Sequence, residues 1–497
     1  MQKTRVRRVG ALLVGLSLVA AACGGDDDDA TDATDAPAPA TEAPAPATEA
    51  PGTEAPATEA PATEAPTSEA PTSEAPTTEA PTSEAPTSEA PPAGNGELEG
   101  FKGTTPMAAS VADWYPGLNE FWQELGNDPL SDFNYGPEAY DAVVVIALAA
   151  IAANDDGSAH AAEIVNVTKD GEKCTTFADC AALLEAGSDI DYDGVSGPLD
   201  FNGNGEPLAG SYGVLQFGAD NRLLPEPIDV IPAELPESAI VDITPVTVER
   251  AGDGVLKIGA LLPETGGLAF LGPPEFAGVQ MAIRDINEAG GVLGADVEYT
   301  GGDSGATGDG VAPATTTRLL SEDVDAIIGA ASSGVTLSVI DTIVQAGVTM
   351  FSPANTAAEL STYDDKGLYF RDAPSDVMQA AVLGSIVAAD GFASAYVLNL
   401  DDAYGNGFAA ELVASLEASG VTVLGQKAYD PNAATFDAEV GEIVSADPDA
   451  VILIGFAESS KILRTAVEQG VGPTAKQWYG TDGQTGNALG EDFDAGA

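Results

Sequence analysis

Small hydroxyl and acidic side chains recur at one kind of place in this chain, just beyond apolar runs short enough to be strands. Ser332-Ser333 follow Val324–Ile328, Ala354-Asn355-Thr356 follow Phe351-Ser352-Pro353, Asp401-Asp402-Ala403-Tyr404 follow Val397-Leu398, and Asp482 follows Trp478-Tyr479. Hydroxyls beside open backbone N–H groups suit a carboxylate and acidic groups suit an ammonium, so the set together describes a site for a zwitterion. Ser, Thr, Asn and Asp also cap helices that follow strands. It is their joint placement that points to a ligand.

Other chemistries find little support. Among 497 residues there are 79 Asp or Glu against 18 Lys or Arg, a formal net charge of −61, which would repel a phosphate backbone and excludes nucleic acid as a partner. One His and three Cys leave few residues for zinc sites or for Ser-His-Asp and Cys-His catalysis. No P-loop, dinucleotide fingerprint or nucleophile elbow occurs in a strand context that would support it. The expectation is a protein without catalytic residues, cofactor or metal. Asp189-x-Asp191-x-Asp193-Gly194 with Asp200 has the spacing of a calcium loop, yet its flanks read as loop and strand rather than two helices. His160, in NDDGSAHAAE, reads as a surface residue, and Trp114, Trp122 and Trp478 read as packing residues.

The elements that must hold the hydroxyls and acids alternate. A strand-length run at Val255–Leu262 is followed by a Gly-rich turn and a helical pattern through Phe276–Ile283. Further strands are predicted at Val324–Ile328, Thr349–Ser352, Ala395–Asn399, Val421–Gln426, Ala450–Gly455 and Gln477–Tyr479, with helix-length stretches such as Gly407–Ser419 and Glu458–Gln469 between them. Apolar strands separated by helices imply α/β architecture with parallel sheets covered on both faces. In such sheets ligands bind beyond the carboxyl ends of the strands.

The amino terminus reads as an address. Lys3, Arg5, Arg7 and Arg8 precede an apolar run, Val9–Ala22, that is too short to span a membrane and ends at Cys23. Small residues before a cysteine suit cleavage there and lipidation of the sulfur; an ordinary secretory signal with an incidental Cys23 is the alternative. Export sets an oxidising context, in which Cys174 and Cys180, the two cysteines of KCTTFADC, are expected to form a local disulfide, with two buried thiols as the alternative. Residues 24–96 are dominated by Ala, Pro, Thr, Ser, Glu and Asp, with ten Glu-Ala-Pro units. Such a segment cannot build a core and reads as an extended, self-repelling tether.

The stretches IGALLPETGGLAFLGPPEFAGVQMAIRDINEAGG, GAASSGVTLSVIDTIVQAGVTMFSPANTAAEL, YFRDAPSDVMQ, LDDAYGNGF and WYGTDG resemble the solute-binding proteins of branched-chain amino-acid ABC transporters. The resemblance implies a type I periplasmic-binding-protein-like Venus flytrap, with two doubly wound lobes, three hinge crossings and a ligand clamped between them. It implies that Ser332 or Ser333 and Thr356, with backbone near Ala354 and Asn355, hold a ligand carboxylate, and that Asp376, Tyr404 and Asp482 hold its ammonium. Two departures fall on the side-chain wall: Leu271, where many members place an aromatic, and Phe456-Ala457, where some carry an aromatic pair. The implied protein sits on the extracytoplasmic face of the membrane through a lipid anchor and serves an ABC permease. A sensing receptor of the same fold, or a surface lipoprotein that binds nothing, is the alternative.

Residues 98–220 resemble the carboxy-terminal part of the same family, through LEGFKGTTP, NYGPEAYDAVVVIALAAIAAN and YDGVSGPLDFNGNGEPLAGSYGVLQF. The halves therefore stand in reversed order, as a circular permutation would leave them; a truncated tandem gene or an assembly error is the alternative. The expected organisation is a signal at 1–23, the tether at 24–96, a carboxy-terminal-like block at 97–224, a linker at 225–254 and an amino-terminal-like block at 255–497. The first lobe would comprise about 106–207 and 255–375, and the second about 97–105, 208–224 and 376–497.

Overall fold

Apolar runs in this chain become the central strands of two sheets. The computed structural model describes residues 96–108, 111–241 and 244–496, all within one compact unit, Thr87–Ala497. The leader, Cys23 and the Glu-Ala-Pro repeat lie outside the described residues. In chain order the strands are β1 (Lys102–Pro106), β2 (Glu172–Cys174), β3 (Ile190–Tyr192), β4 (Ala209–Gln216), β5 (Asp229–Glu234), β6 (Lys257–Leu262) and β7 (Glu298–Asp303). They continue with β8 (Ala326–Gly329), β9 (Thr349–Ser352), β10 (Tyr369–Arg371), β11 (Ser394–Leu400), β12 (Thr422–Tyr429), β13 (Ala450–Ile454) and β14 (Gln477–Gly480).

One sheet has five parallel strands in the order β10-β9-β8-β6-β7. The other has seven, β12-β11-β13-β14-β1-β4-β5, parallel through β1 and antiparallel at β4 and β5. Strands such as β13, AVILI, are buried along their whole length, as a parallel sheet covered on both faces requires. β1 lies parallel to β14, Lys102 opposite Tyr479, so the two ends of the described chain meet in one sheet. Each sheet has its own apolar core, and a smaller cluster around Tyr135, Leu268, Leu271, Ala331, Ala354 and Ala373 is separate from both. The chain passes between the lobes after β1, before β4 and between β10 and the helix Asp376–Ala389, and returns once more after β5.

The helix Gly136–Ala153 is long and apolar enough to cross a membrane, but it is the core helix of the first lobe, buried from Gly136 to Ala150. It packs on the helix Gly272–Glu288, where Gly278 permits the approach: a Cβ there would stand 2.2 Å from the Gly136 carbonyl oxygen. Glu138, in its first turn, is buried. Burial, with the Asp141 charge, pushes its carboxyl up to about 8. A carboxyl raised in the folded state stabilises fully below its unfolded value, near 4.5, and that contribution is lost as pH rises to about 8. Glu138→Gln should therefore flatten the pH dependence of unfolding between those limits by up to ~1.4 kcal/mol per pH unit. Urea unfolding of both proteins from pH 5 to 9 measures this.

Two expectations are corrected here. Residues 225–254 are not only a joint: Asp229–Glu234 forms β5, paired with β4, before Arg250 ties the returning chain to Asp325 in the first lobe. An edge strand tolerates Pro232, whose missing donor would break a central one. His160 is buried, its Nε2 2.9 Å from Thr349 Oγ1 on β9, and burial lowers its pKa to about 4, so it is neutral at pH 7.

Candidate functional site

Beyond the carboxyl ends of β8 and β9 the first lobe presents hydroxyls. Ser332 caps the helix Ser333–Gln345, its Oγ accepting from the Val335 N–H at 3.4 Å. Ser333 Oγ accepts from the Ala357 N–H at 3.4 Å, tying the two loops. Asn355 ties them more firmly: its amide donates to the Ala330 and Ala331 carbonyls at 2.9 and 2.8 Å and accepts from the Tyr369 hydroxyl at 3.0 Å.

From the second lobe come Tyr404, in the first turn of the helix Ala403–Ala418, Phe456 after β13 and Asp482 after β14. The Tyr404 hydroxyl lies 2.7 Å from Thr481 Oγ1 and donates to Asp482 Oδ1 at 3.1 Å, and its ring stacks on Phe456 with centroids 5.6 Å apart. The other oxygen, Asp482 Oδ2, accepts from Tyr135 of the first lobe at 2.7 Å. Burial raises the Asp482 carboxyl above its usual range, and the tyrosine hydrogen bonds offset part of that.

One small cavity between the lobes is lined by Ser332, Ser333, Ala354, Thr356, Tyr404, Phe456 and Asp482. Those seven expected residues come together. Asn355 and Asp376 do not line it. Asn355 faces the loops it ties, and Asp376 stands behind Thr356, its N–H donating to the Thr356 carbonyl at 2.8 Å. Asp376 is buried, and burial together with the Asp482 charge pushes its carboxyl well above the usual range. The remaining wall is Tyr135, Leu268, Leu271, Ala331 and Gly483. Tyr135 is the residue that sequence reasoning missed. It sits at a left-handed φ of 62° before the helix it leads into, a conformation uncommon outside glycine and asparagine. The Tyr-Gly-Pro run at a helix start was the available signal.

Outside this cavity lies an open cleft of ≈ 640 Å³. Leu268, Ser332 and Phe456 line both, so the Phe456 ring stands between mouth and interior. The arrangement offers hydroxyls at one end, a carboxylate at the other and an apolar wall of leucines and Phe456, which is binding chemistry. Away from it, Cys174 and Cys180 are joined in a disulfide. Among the described residues no group of three or more His, Cys, Asp or Glu is placed to hold a metal ion.

Residues 255–497 match the model of the periplasmic binding protein family, and residues 96–220 that of the receptor family ligand binding region. The fold is that of the type I periplasmic binding proteins. Similar proteins include a Leu/Ile/Val-binding protein of Rhizobium johnstonii, 31% identical over 42% of this chain and 56% of the relative. A leucine-, isoleucine-, valine-, threonine- and alanine-binding protein of Pseudomonas aeruginosa is 31% identical over 44% of this chain and 58% of its own length. A chemotactic signal transduction substrate-binding protein of Halobacterium salinarum is 31% identical over 41% and 51%. The chain thus spans about half the length of the curated relatives it matches. A solved leucine-binding protein of Thermotoga maritima is 26% identical, with a TM-score of 0.44, over 48% of this chain and 67% of that one. The curated relatives are named as binding proteins, in keeping with the expectation of a non-enzyme.

Proposed function

We propose that the protein is a lipid-anchored, extracytoplasmic solute-binding protein that captures an amino acid or similar small polar zwitterion and delivers it to an ABC permease. The observation that carries this is the Asp482 carboxylate, held by Tyr135 from one lobe and Tyr404 from the other, in the cavity that Ser333 and Thr356 also line. The ligand carboxylate takes the hydroxyls of Ser333 and Thr356 and backbone near Ala354, and its ammonium takes Asp482. The side chain lies against Leu268, Leu271 and Phe456, an apolar wall that suits an aliphatic group, as in the ligands for which the Rhizobium and Pseudomonas relatives are named. Contacts from both lobes exist together only in the closed form, so binding shifts a hinge equilibrium. Cys23 carries the anchor, and the acidic repeat is the tether.

The segment order belongs to this reading as a circular permutation of one binding protein. Its support is the parallel pairing of β1 with β14 and the ion pair by which Arg250, after β5, joins Asp325 of the first lobe. A second reading, ligand sensing for a signalling partner, is favoured by the chemotactic Halobacterium relative. Thermal unfolding across an amino-acid panel tests the binding claim. A ligand at a hundred times its Kd should add about 2.7 kcal/mol; no stabilisation by any member would overturn it. Loss of membrane retention in Cys23→Ser checks the anchor.

A further inference from the structure

The turn that carries Asp482, between β14 and the helix Asn487–Ala495, is tied to its own lobe through Gln484, whose amide donates to the Leu453 carbonyl at 2.6 Å, but the first backbone N–H groups of that helix are not. That helix starts after Gly486, which has no side chain to cap it, and the first N–H groups of a helix need an acceptor. The acceptor comes from across the cleft. Asp132, only 5% exposed, accepts the Asn487 N–H on Oδ1 at 2.6 Å and the Ala488 N–H on Oδ2 at 3.2 Å. Its neighbours reinforce the link: Asn487 Nδ2 donates to the Ser131 carbonyl at 3.2 Å, and Asn134 Nδ2 donates to the Thr485 carbonyl at 3.1 Å. One residue on, Tyr135 reaches Asp482 itself.

We propose that Asp132 is a positioning residue for the ligand site: the stretch 131–134 of the first lobe clasps the turn that carries Asp482 and so favours the closed form, in which that ammonium anchor meets the first-lobe hydroxyls. This rests on the reading of Asp482 as that anchor. Asp132 does not line the cavity, so its effect on a ligand is indirect. A ligand that needs the closed form binds with its intrinsic affinity reduced by the fraction of protein that is closed. Removing the brace lowers that fraction without touching the ligand.

The test uses the full chain, with fluorescent dyes at Leu125 and Leu424, both exposed and one on each lobe, to follow lobe separation. Asp132→Ala should separate the lobes in the unliganded protein, return to the wild-type distance at saturating ligand, and weaken apparent affinity about tenfold for the panel member that stabilises the wild type most. A merely structural cap is distinguished by adding Gly486→Ser. Backbone angles of −152° and 168° suit an N-cap residue there; its Cβ loses the contacts to Asp132 in the variant and keeps one, at 3.2 Å to Phe270 Cε2, which the ring relieves by shifting a few tenths of an ångström, so Gly486→Ser alone is measured beside the double variant. The serine caps the helix from within its own lobe, so the double variant should regain thermal stability but remain open and weak. Recovery of affinity in the double variant, or wild-type distance and affinity in Asp132→Ala, would overturn the proposal. If no amino acid binds the wild type, the reading of Asp482 falls, and the dye distances alone decide whether Asp132 holds the lobes together.

Discussion

Asp482→Ala should weaken amino-acid binding by at least about a hundredfold while changing affinity for the deaminated analogue of the same ligand far less. The carboxylate is buried and its two oxygens are held by Tyr135 and Tyr404, one from each lobe, so the closed form presents it in a fixed orientation. An ammonium brought to it forms a desolvated charge pair, and removing one partner of such a pair costs about 3–5 kcal/mol, a few hundredfold or more in Kd. The analogue has no ammonium to lose. Calorimetric titration of both ligands against wild type and variant measures the difference, and equal losses would remove the ammonium role from Asp482. The unliganded variant loses an acceptor for two buried tyrosine hydroxyls, so its thermal unfolding is measured beside wild type to separate that cost from the loss of ligand.

That such a prediction can be framed at all owes much to what the sequence carries. Apolar runs bounded by Gly and hydroxyl residues located β9 at Thr349–Ser352, and the small polar residues after β8, β9, β11 and β14 include those that reach the cavity. A parallel sheet places strand ends together, so the chain order of these residues becomes proximity. What the order does not carry is direction. Asn355 and Thr356 are adjacent, yet one ties two loops from behind and the other lines the cavity, a choice made by the Ala330, Ala331 and Tyr369 groups that claim the Asn355 amide. Tyr135 follows no strand, and its left-handed backbone leaves no mark in hydrophobic pattern. His160 was beyond local reading for a similar reason: the group its buried ring meets is Thr349 on β9, 189 residues away. β5 was hidden by its Pro and Glu, which only an edge strand accommodates.

The second large effect concerns the scaffold behind Thr356. Arg371 and Glu206 are 1% and 2% exposed at the side chain and form an ion pair, with Arg371 Nε donating to Glu206 Oε2 at 3.0 Å. The same guanidinium donates to the Ala357 and Asn355 carbonyls at 2.9 and 3.3 Å and to Ser361 Oγ at 2.8 Å, so it fastens the segment in which Thr356 sits. Burial pushes the Glu206 carboxyl up, but the Arg371 charge and hydrogen bonds from Arg371, Asn202 and Ser361 outweigh this and hold it below its usual range. A carboxyl lowered in the folded state contributes stability above its unfolded value, near 4.5, and loses it as pH falls further. Glu206→Gln leaves a buried guanidinium unpaired and should cost about 3–5 kcal/mol in denaturant unfolding at pH 7, with the gap to wild type narrowing below pH ~4.5. Pairing it with Arg371→Met removes the orphaned charge and should recover most of the stability, since an apolar replacement of a buried ion pair is often neutral. Ligand affinity should not recover with it, because the Asn355 and Ala357 carbonyls have then lost the donor that sets the loop; a double variant that binds like wild type would mean that Arg371 serves the fold alone.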